Sequence, residues 1–164
     1  MALRDANYVI DVISEILDEI VTESENESHP EESYYGESLS LFLSKKPPVI
    51  SINQYLRRIM KYSKLEPSTI VLSLIYIDRV CEISNVQLTP YNIHRLLLAC
   101  LVISIKYNED DYYSNEYYAK VGGISLKELN VLEYTILIIL NFELFIDNEL
   151  YENYENQIKE YEKV

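Results

Sequence analysis

The sequence predicts an all-α protein: a five-helix bundle around a central buried helix, preceded by an N-terminal amphipathic helix. Three observations carry that expectation. Helix-start signals recur at short intervals from Ser51 onward, and each introduces apolar residues at helical spacing. Residues 96–105 are apolar nearly all round, which requires neighbours on every side. With 164 residues, 48% hydrophobic and only 3 glycines, the chain can build one core and is short for two.

Val9, Ile13, Ile16 and Ile20 repeat at helical spacing, with Ile10, Leu17 and Val21 beside them and Asp11, Asp18 and Glu19 opposite, so residues 8–21 form an amphipathic helix. Residues 22–38, rich in Glu and Ser and holding His29-Pro30, read as an exposed linker. A short apolar patch at 39–43 follows, and Pro47-Pro48 stops any helix and marks the start of the main domain. Ser51 with Gln54 is a capping box, whose helix carries Ile52, Tyr55, Leu56, Ile59 and Met60 as one stripe. Pro67 suits the first turn of the next helix, with Ile70, Leu74, Ile77 and Cys81 facing inward. Thr89-Pro90 opens the central helix. Residues 115–121 form a short helix stopped by Gly122-Gly123, and Ser125 with Glu128 caps the fifth, which continues through Leu129, Leu132, Ile136 and Ile139. Taken alone, the isoleucine-rich run 135–140 also fits a strand. The expected divisions are 1–22 for the first helix, 23–46 for the acidic linker and apolar patch, 47–146 for the bundle, and 147–164 for an acidic tail or sixth helix.

The net charge of −13 is concentrated at the ends. Residues 1–46 hold 11 acids and 3 bases, 47–146 hold 10 and 9, and 147–164 hold 6 and 2. This balance repels phosphate backbones and anionic lipid, so neither nucleic acid nor membrane is an expected partner. No signal-peptide pattern opens the chain, and the run 96–105 is too short to span a bilayer. Cys81 and Cys100, the only cysteines, sit in apolar helical patterns and read as buried free thiols of a reducing compartment. The expected location is the cytoplasm, the nucleus or both.

No nucleophile elbow, phosphate-cradling glycine loop or metal-spaced His or Cys cluster occurs, so no catalytic residue, cofactor or metal is expected. His29 falls in the linker and His94 at the start of the central helix, neither with a partner for acid–base work. The adjacent acids Asp110 and Asp111 read as solvated loop residues rather than metal ligands. Charges that interrupt apolar helices say more. Lys106 ends the central helix, where the helix dipole favours a cation although its stem crosses apolar neighbours. Glu133 lies between Leu132 and Tyr134 beside the inward stripe, where an unpartnered carboxylate is costly. A surface ion pair of little worth and contact with a second protein both remain open for these two. Asp78-Arg79 poses the same question in the second bundle helix, where an inner Asp reads as holding a neighbouring loop or helix end. Arg57, Arg58, Lys61 and Lys64 make the first bundle helix basic on one side, a solvated face by default with partner docking as the alternative.

The segments Tyr76-Ile77-Asp78-Arg79, Leu88-Thr89-Pro90-Tyr91-Asn92-Ile93-His94-Arg95-Leu96, Lys106-Tyr107-Asn108-Glu109-Asp110-Asp111-Tyr112-Tyr113-Ser114-Asn115, Tyr117-Tyr118-Ala119-Lys120-Val121-Gly122-Gly123 and Glu128-Leu129-Asn130-Val131-Leu132-Glu133 together resemble P-type (Pho80-like) cyclins. The resemblance spans residues 47–146 and implies the single cyclin-box fold. In that family a lysine at the end of the third box helix and a glutamate in the fifth share the surface that grips the kinase, and Lys106 and Glu133 match them. Tyr107, Asp110 and Asp111 lie beside that lysine and are expected to join in kinase binding. Asp78, with Arg79, matches a position that is structural in the family. The implied function is that of a regulatory subunit which binds and activates a cyclin-dependent protein kinase, Pho85-like or similar, by positioning the kinase's mobile helix. The kinase requires ATP and magnesium; no cofactor is implied for this chain. The alternative is a helical adaptor of cyclin fold with a non-kinase partner. Arg58 stands where many cell-cycle cyclins carry an acid, and Tyr55 where Trp is usual, so docking of basic Arg-x-Leu substrates is not implied. The 18 residues after Ile146 are too few for a second box.

Overall fold

The first amides of a helix have no carbonyl behind them, and a side chain must answer them. In the computed structural model, which describes residues 5–26 and 40–161, serine does this three times. Ser51 Oγ accepts from the Gln54 amide at 3.1 Å, while Gln54 reaches back to the Ser51 amide at 3.4 Å. Ser125 and Glu128 repeat the exchange at 3.1 and 2.8 Å, and Ser114 accepts from Tyr117 N at 3.3 Å. The helices that follow are α2 (Ile52–Ser63), α6 (Leu126–Ile139) and α5 (Asn115–Gly122). Ahead of them runs α1 (Ala6–Asn26); between them stand α3 (Pro67–Ser84) and α4 (Ile93–Asn108); α7 (Asn148–Tyr161) closes the order. Pro67 occupies the first turn of α3, where its missing N–H is not needed. The described residues contain helices and no strand, and the run 135–140 is the last part of α6 with its C-terminal cap, Leu140.

α4 is the centre, as its composition requires. Apart from Arg95, every residue from Ile93 to Ile105 is buried. α3 and α6 pack directly on it, α5 bridges α2 and α6, and α1 lies across α2 and α3. Gly122, the last residue of α5, lets that helix sit against α4: a Cβ there would stand 2.3 Å from Leu98 Cδ2. The Tyr55 hydroxyl secures the approach by donating to the Gly122 carbonyl at 2.8 Å.

Three features differ from the sequence expectation, and one alternative it left open, a tail or a sixth helix at the C-terminal end, is decided. α1 continues through Asn26 instead of ending near residue 21, because Thr22 Oγ1 and Ser24 Oγ bond back to carbonyls of their own helix and no breaker intervenes. α4 begins at Ile93, not at Thr89-Pro90. There Asn92 folds the chain into a turn first: its Oδ1 accepts from Thr89 N and its Nδ2 donates to the Gln87 carbonyl, both at 2.9 Å. The acidic C-terminal stretch is a helix that docks on α3 and α1 through buried Ile158. Cys81 is only half-buried, unlike Cys100, and both thiols are free. The His29-Pro30 linker falls outside the described residues, as does Leu39.

Tyrosine hydroxyls tie the terminal helices down. Tyr154 of α7 donates to Asp78 Oδ2 at 2.7 Å, Tyr161 donates to Glu19 of α1, and Tyr8 of α1 donates to the Ile158 carbonyl at 3.4 Å. Arg57 turns inward to Asp11 and Asn7 of α1, so one of the four cations of the basic face is used within the fold.

Candidate functional site

Lys106 and Glu133 are 27 residues apart in sequence and meet because α6 packs along the exit end of α4. The Lys106 ammonium donates to Glu133 Oε2 at 2.8 Å and to Oε1 at 3.1 Å. Neither side chain is sealed, with 31% of Lys106 and 16% of Glu133 exposed. The cation closes α4, where the unpaired carbonyls of the helix end favour it. Glu133 sits on the flank of α6, one position from the buried Leu132.

Asn115 and the exposed Asn130 stand beside the pair, and exposed apolar residues lie further round the same helices. On α6, Val131, Tyr134 and Ile138 recur three and four positions apart on the side away from the core, so they form one outward stripe. Tyr134 is 63% exposed. Tyr107, next to Lys106, is also exposed. In the loop after α6, Phe142 and Phe145 are exposed as well, Phe145 at 75%. That loop is held firmly. Asn141 and Phe142 take the left-handed conformation in succession, with φ of 54° and 57°, which side chains other than glycine's adopt at a cost. Phe142 N donates to Leu137 O at 2.9 Å, Tyr76 OH to Leu144 O at 2.7 Å, and Arg79 to the Glu143 carbonyl at 3.4 Å. Two large rings thus stand in water on a pinned loop.

Asp110 and Asp111 go elsewhere. With Glu66, Glu109, Lys64 and Tyr112 they line an open cleft of about 530 Å³ where α4 ends near the start of α3. Burial pushes the Glu109 carboxyl up from its ordinary value, with Glu66 adding to the effect, while the hydrogen bond from Thr69 opposes it. Asp78 and Arg79 stand on α3, where Asp78 accepts from Tyr154 of α7 and Arg79 supports the Phe142 loop by its bond to Glu143. His94 is buried: one ring nitrogen meets the Ile50 carbonyl at 2.8 Å, its ring stands edge-on to Tyr55, and Nδ1 has no partner. Burial holds its pKa below the ordinary value. No three-residue metal cluster occurs among the described residues, and no helix there is long and apolar enough to cross a membrane.

Sequence reasoning missed the aromatic loop and the outward stripe. The stripe was legible as Val131, Tyr134 and Ile138 at helical spacing opposite the inner residues; the exposure of Phe142 and Phe145 carried no local signal.

The match to known proteins agrees with this geometry. The sequence fits the family model described as Cyclin over residues 7–144. The chain belongs to the cyclin family. The match begins in α1 and includes both charged residues of the pair. This cyclin is 36% identical to Cyclin-U1-1 of Arabidopsis thaliana over 147 residues, 89% of the chain and 70% of that relative. It is 39% identical to Cyclin-U3-1 of the same plant over 123 residues, 75% of the chain and 56% of the relative. To Cyclin-P3-1 of Oryza sativa subsp. japonica it is 37% identical over 134 residues, 82% of the chain and 57% of the relative. P-type cyclins are thus among its relatives, and the chain spans little more than half the length of several of them.

Proposed function

We propose that this cyclin is a regulatory subunit that binds a cyclin-dependent protein kinase, Pho85-like or similar, and activates it without doing chemistry itself. The observation that supports this reading is the half-exposed Lys106–Glu133 pair, on the same two helices that leave Tyr107, Val131, Tyr134 and Ile138 exposed. Fully burying one large apolar side chain contributes about 1.5–3 kcal/mol, so Tyr134, Ile138, Phe142 and Phe145 supply a driving force that the chain itself leaves unused. The charged pair supplies direction, because a buried mismatch of charge is costly. Tyr107 belongs to this contact, and Asp110 and Asp111 flank it from the neighbouring cleft. Asp78 and Arg79 act from behind, holding α7 and the aromatic loop.

A kinase of this class needs a mobile helix in place so that its glutamate meets the ATP-site lysine. Binding activates only to the extent that the surface prefers the kinase with that helix in position; each tenfold preference is about 1.4 kcal/mol. The work takes place in the cytoplasm or nucleus, where such kinases act.

The test is capture of candidate cyclin-dependent kinases by the wild-type chain, with phosphorylation measured in the captured complex. Lys106→Glu and Glu133→Lys each lower capture and activity tenfold or more, by about 1.4 kcal/mol at least. Unchanged capture by both variants, or no kinase recovered by wild type, sinks the proposal; in the second case an adaptor with a non-kinase partner takes its place.

A further inference from the structure

The Lys106–Glu133 pair has a third member whose own bonding is incomplete. Asn115 is the first residue of α5, and its Nδ2 donates to Asn130 Oδ1 at 2.8 Å and to Glu133 Oε1 at 3.3 Å. Both acceptors stand on α6 three positions apart, on one side of it, so one amide bridges two helices. The Oδ1 of Asn115 is buried and accepts from nothing. A buried acceptor without a donor burdens a fold, and native proteins contain few. Turning the amide over would set Oδ1 against the Glu133 carboxylate, oxygen facing oxygen. The carboxylate therefore dictates which way the amide points, and the unmet acceptor is the consequence.

We propose that Asn115 is a positioning residue for the charged pair: it fixes the Glu133 carboxylate so that Lys106 is presented in one direction to a partner. This rests on the reading of the pair as the contact point. A carboxylate held by a lysine alone follows that flexible side chain, whereas a second donor from another helix anchors it. Lys106 has three N–H groups and directs at most two of them to Glu133, so one remains for an acceptor on the partner. The cation is also the more exposed of the two.

The experiment reads Lys106 directly, in the intact chain and without a partner, by the rate at which an N-hydroxysuccinimide ester acylates it, followed by peptide mass spectrometry. Asn115→Ala raises that rate about fivefold, the effect of losing one charge-assisted hydrogen bond. In a Glu133→Ala background the same substitution adds nothing, since the carboxylate it positions is gone. The urea midpoint changes little, because the bonds lost to Asn130 and Glu133 are offset by removal of the unmet acceptor. Asn115→Leu, close to asparagine in size and without a donor, repeats the acylation result should the alanine variant pack poorly. An unchanged acylation rate in both variants, or an equal rise with and without Glu133, overturns the proposal. Capture of the kinase retained by wild type weakens about fivefold in Asn115→Ala. Faster acylation together with undiminished capture by Lys106→Glu overturns the kinase reading and leaves the positioning role standing.

Discussion

Asp78 and Glu133 are the same event in the sequence, an acid set into an apolar helix, yet the fold treats them differently. Asp78 is answered from within: α7 crosses α3, and Tyr154 donates to the carboxylate at 2.7 Å. Burial raises its pKa above the ordinary value, with the tyrosine hydrogen bond opposing that rise. Glu133 is met by Lys106 and Asn115, and 16% of its side chain stays exposed. Both terminal helices pack on α3, and among the described residues nothing covers Val131, Tyr134 and Ile138 of α6. An acid closed in by its own chain serves the fold; an acid at the rim of a bare apolar surface is open to a second molecule.

The contrast is broken most easily on the covered side. Leu17 of α1 is fully buried, and Leu17→Ala lowers stability by about 2–5 kcal/mol in urea unfolding. A loss below about 1 kcal/mol would mean that α1 rests on the bundle without belonging to it. Tyr154→Phe removes the donor to Asp78 and costs about 1–3 kcal/mol; no loss at neutral pH would mean that Asp78 finds another donor.

A smaller effect comes from His94. Its folded pKa lies below the unfolded value of 6.5, so the unfolded chain takes up the proton first as pH falls. Stability contributed by the neutral ring is therefore complete above that value and declines as pH drops below it. Asp78 and Glu109, whose pKa values are raised, work in the opposite sense at lower pH. The quantity to measure is the difference between wild type and His94→Gln across urea midpoints from neutral to mildly acidic pH. The wild type loses more on acidification, and parallel profiles would contradict this. The smallest effect belongs to the bare side: Tyr134→Ser with Ile138→Ser shifts stability by no more than about 0.5 kcal/mol, while kinase capture falls. A large loss of stability would show that these side chains serve the fold.

The fold was legible wherever the signal is local. Ser51 with Gln54 and Ser125 with Glu128 announce their helices because a cap and its third residue are neighbours in sequence, and α4 declares itself central by lacking a wet face. The site was legible only in part. Nothing in spacing brings Lys106 to Glu133; the family resemblance named them, and the packing of α6 on α4 joined them. Asn115 escaped notice because its role depends on Asn130 and Glu133, which reach it only after α5 has docked. The start of α4 was misplaced because Thr89-Pro90 matches a helix opening while the Asn92 side chain, bonding both forward and back, holds a turn in its place. The tail became α7 through Ile158 and Leu150, two aliphatic residues among glutamates and tyrosines, too few to decide the matter alone.

Phe142 has one more consequence. A ring carried on a left-handed residue, behind a backbone pinned to Leu137 and a loop held by Tyr76 and Arg79, stands on a backbone with little freedom to give up. Most surface side chains must be frozen when two proteins associate, and that loss of freedom subtracts from affinity. Here the backbone part of that ordering is complete before any encounter, so the backbone strain at this position is settled during folding and not during association.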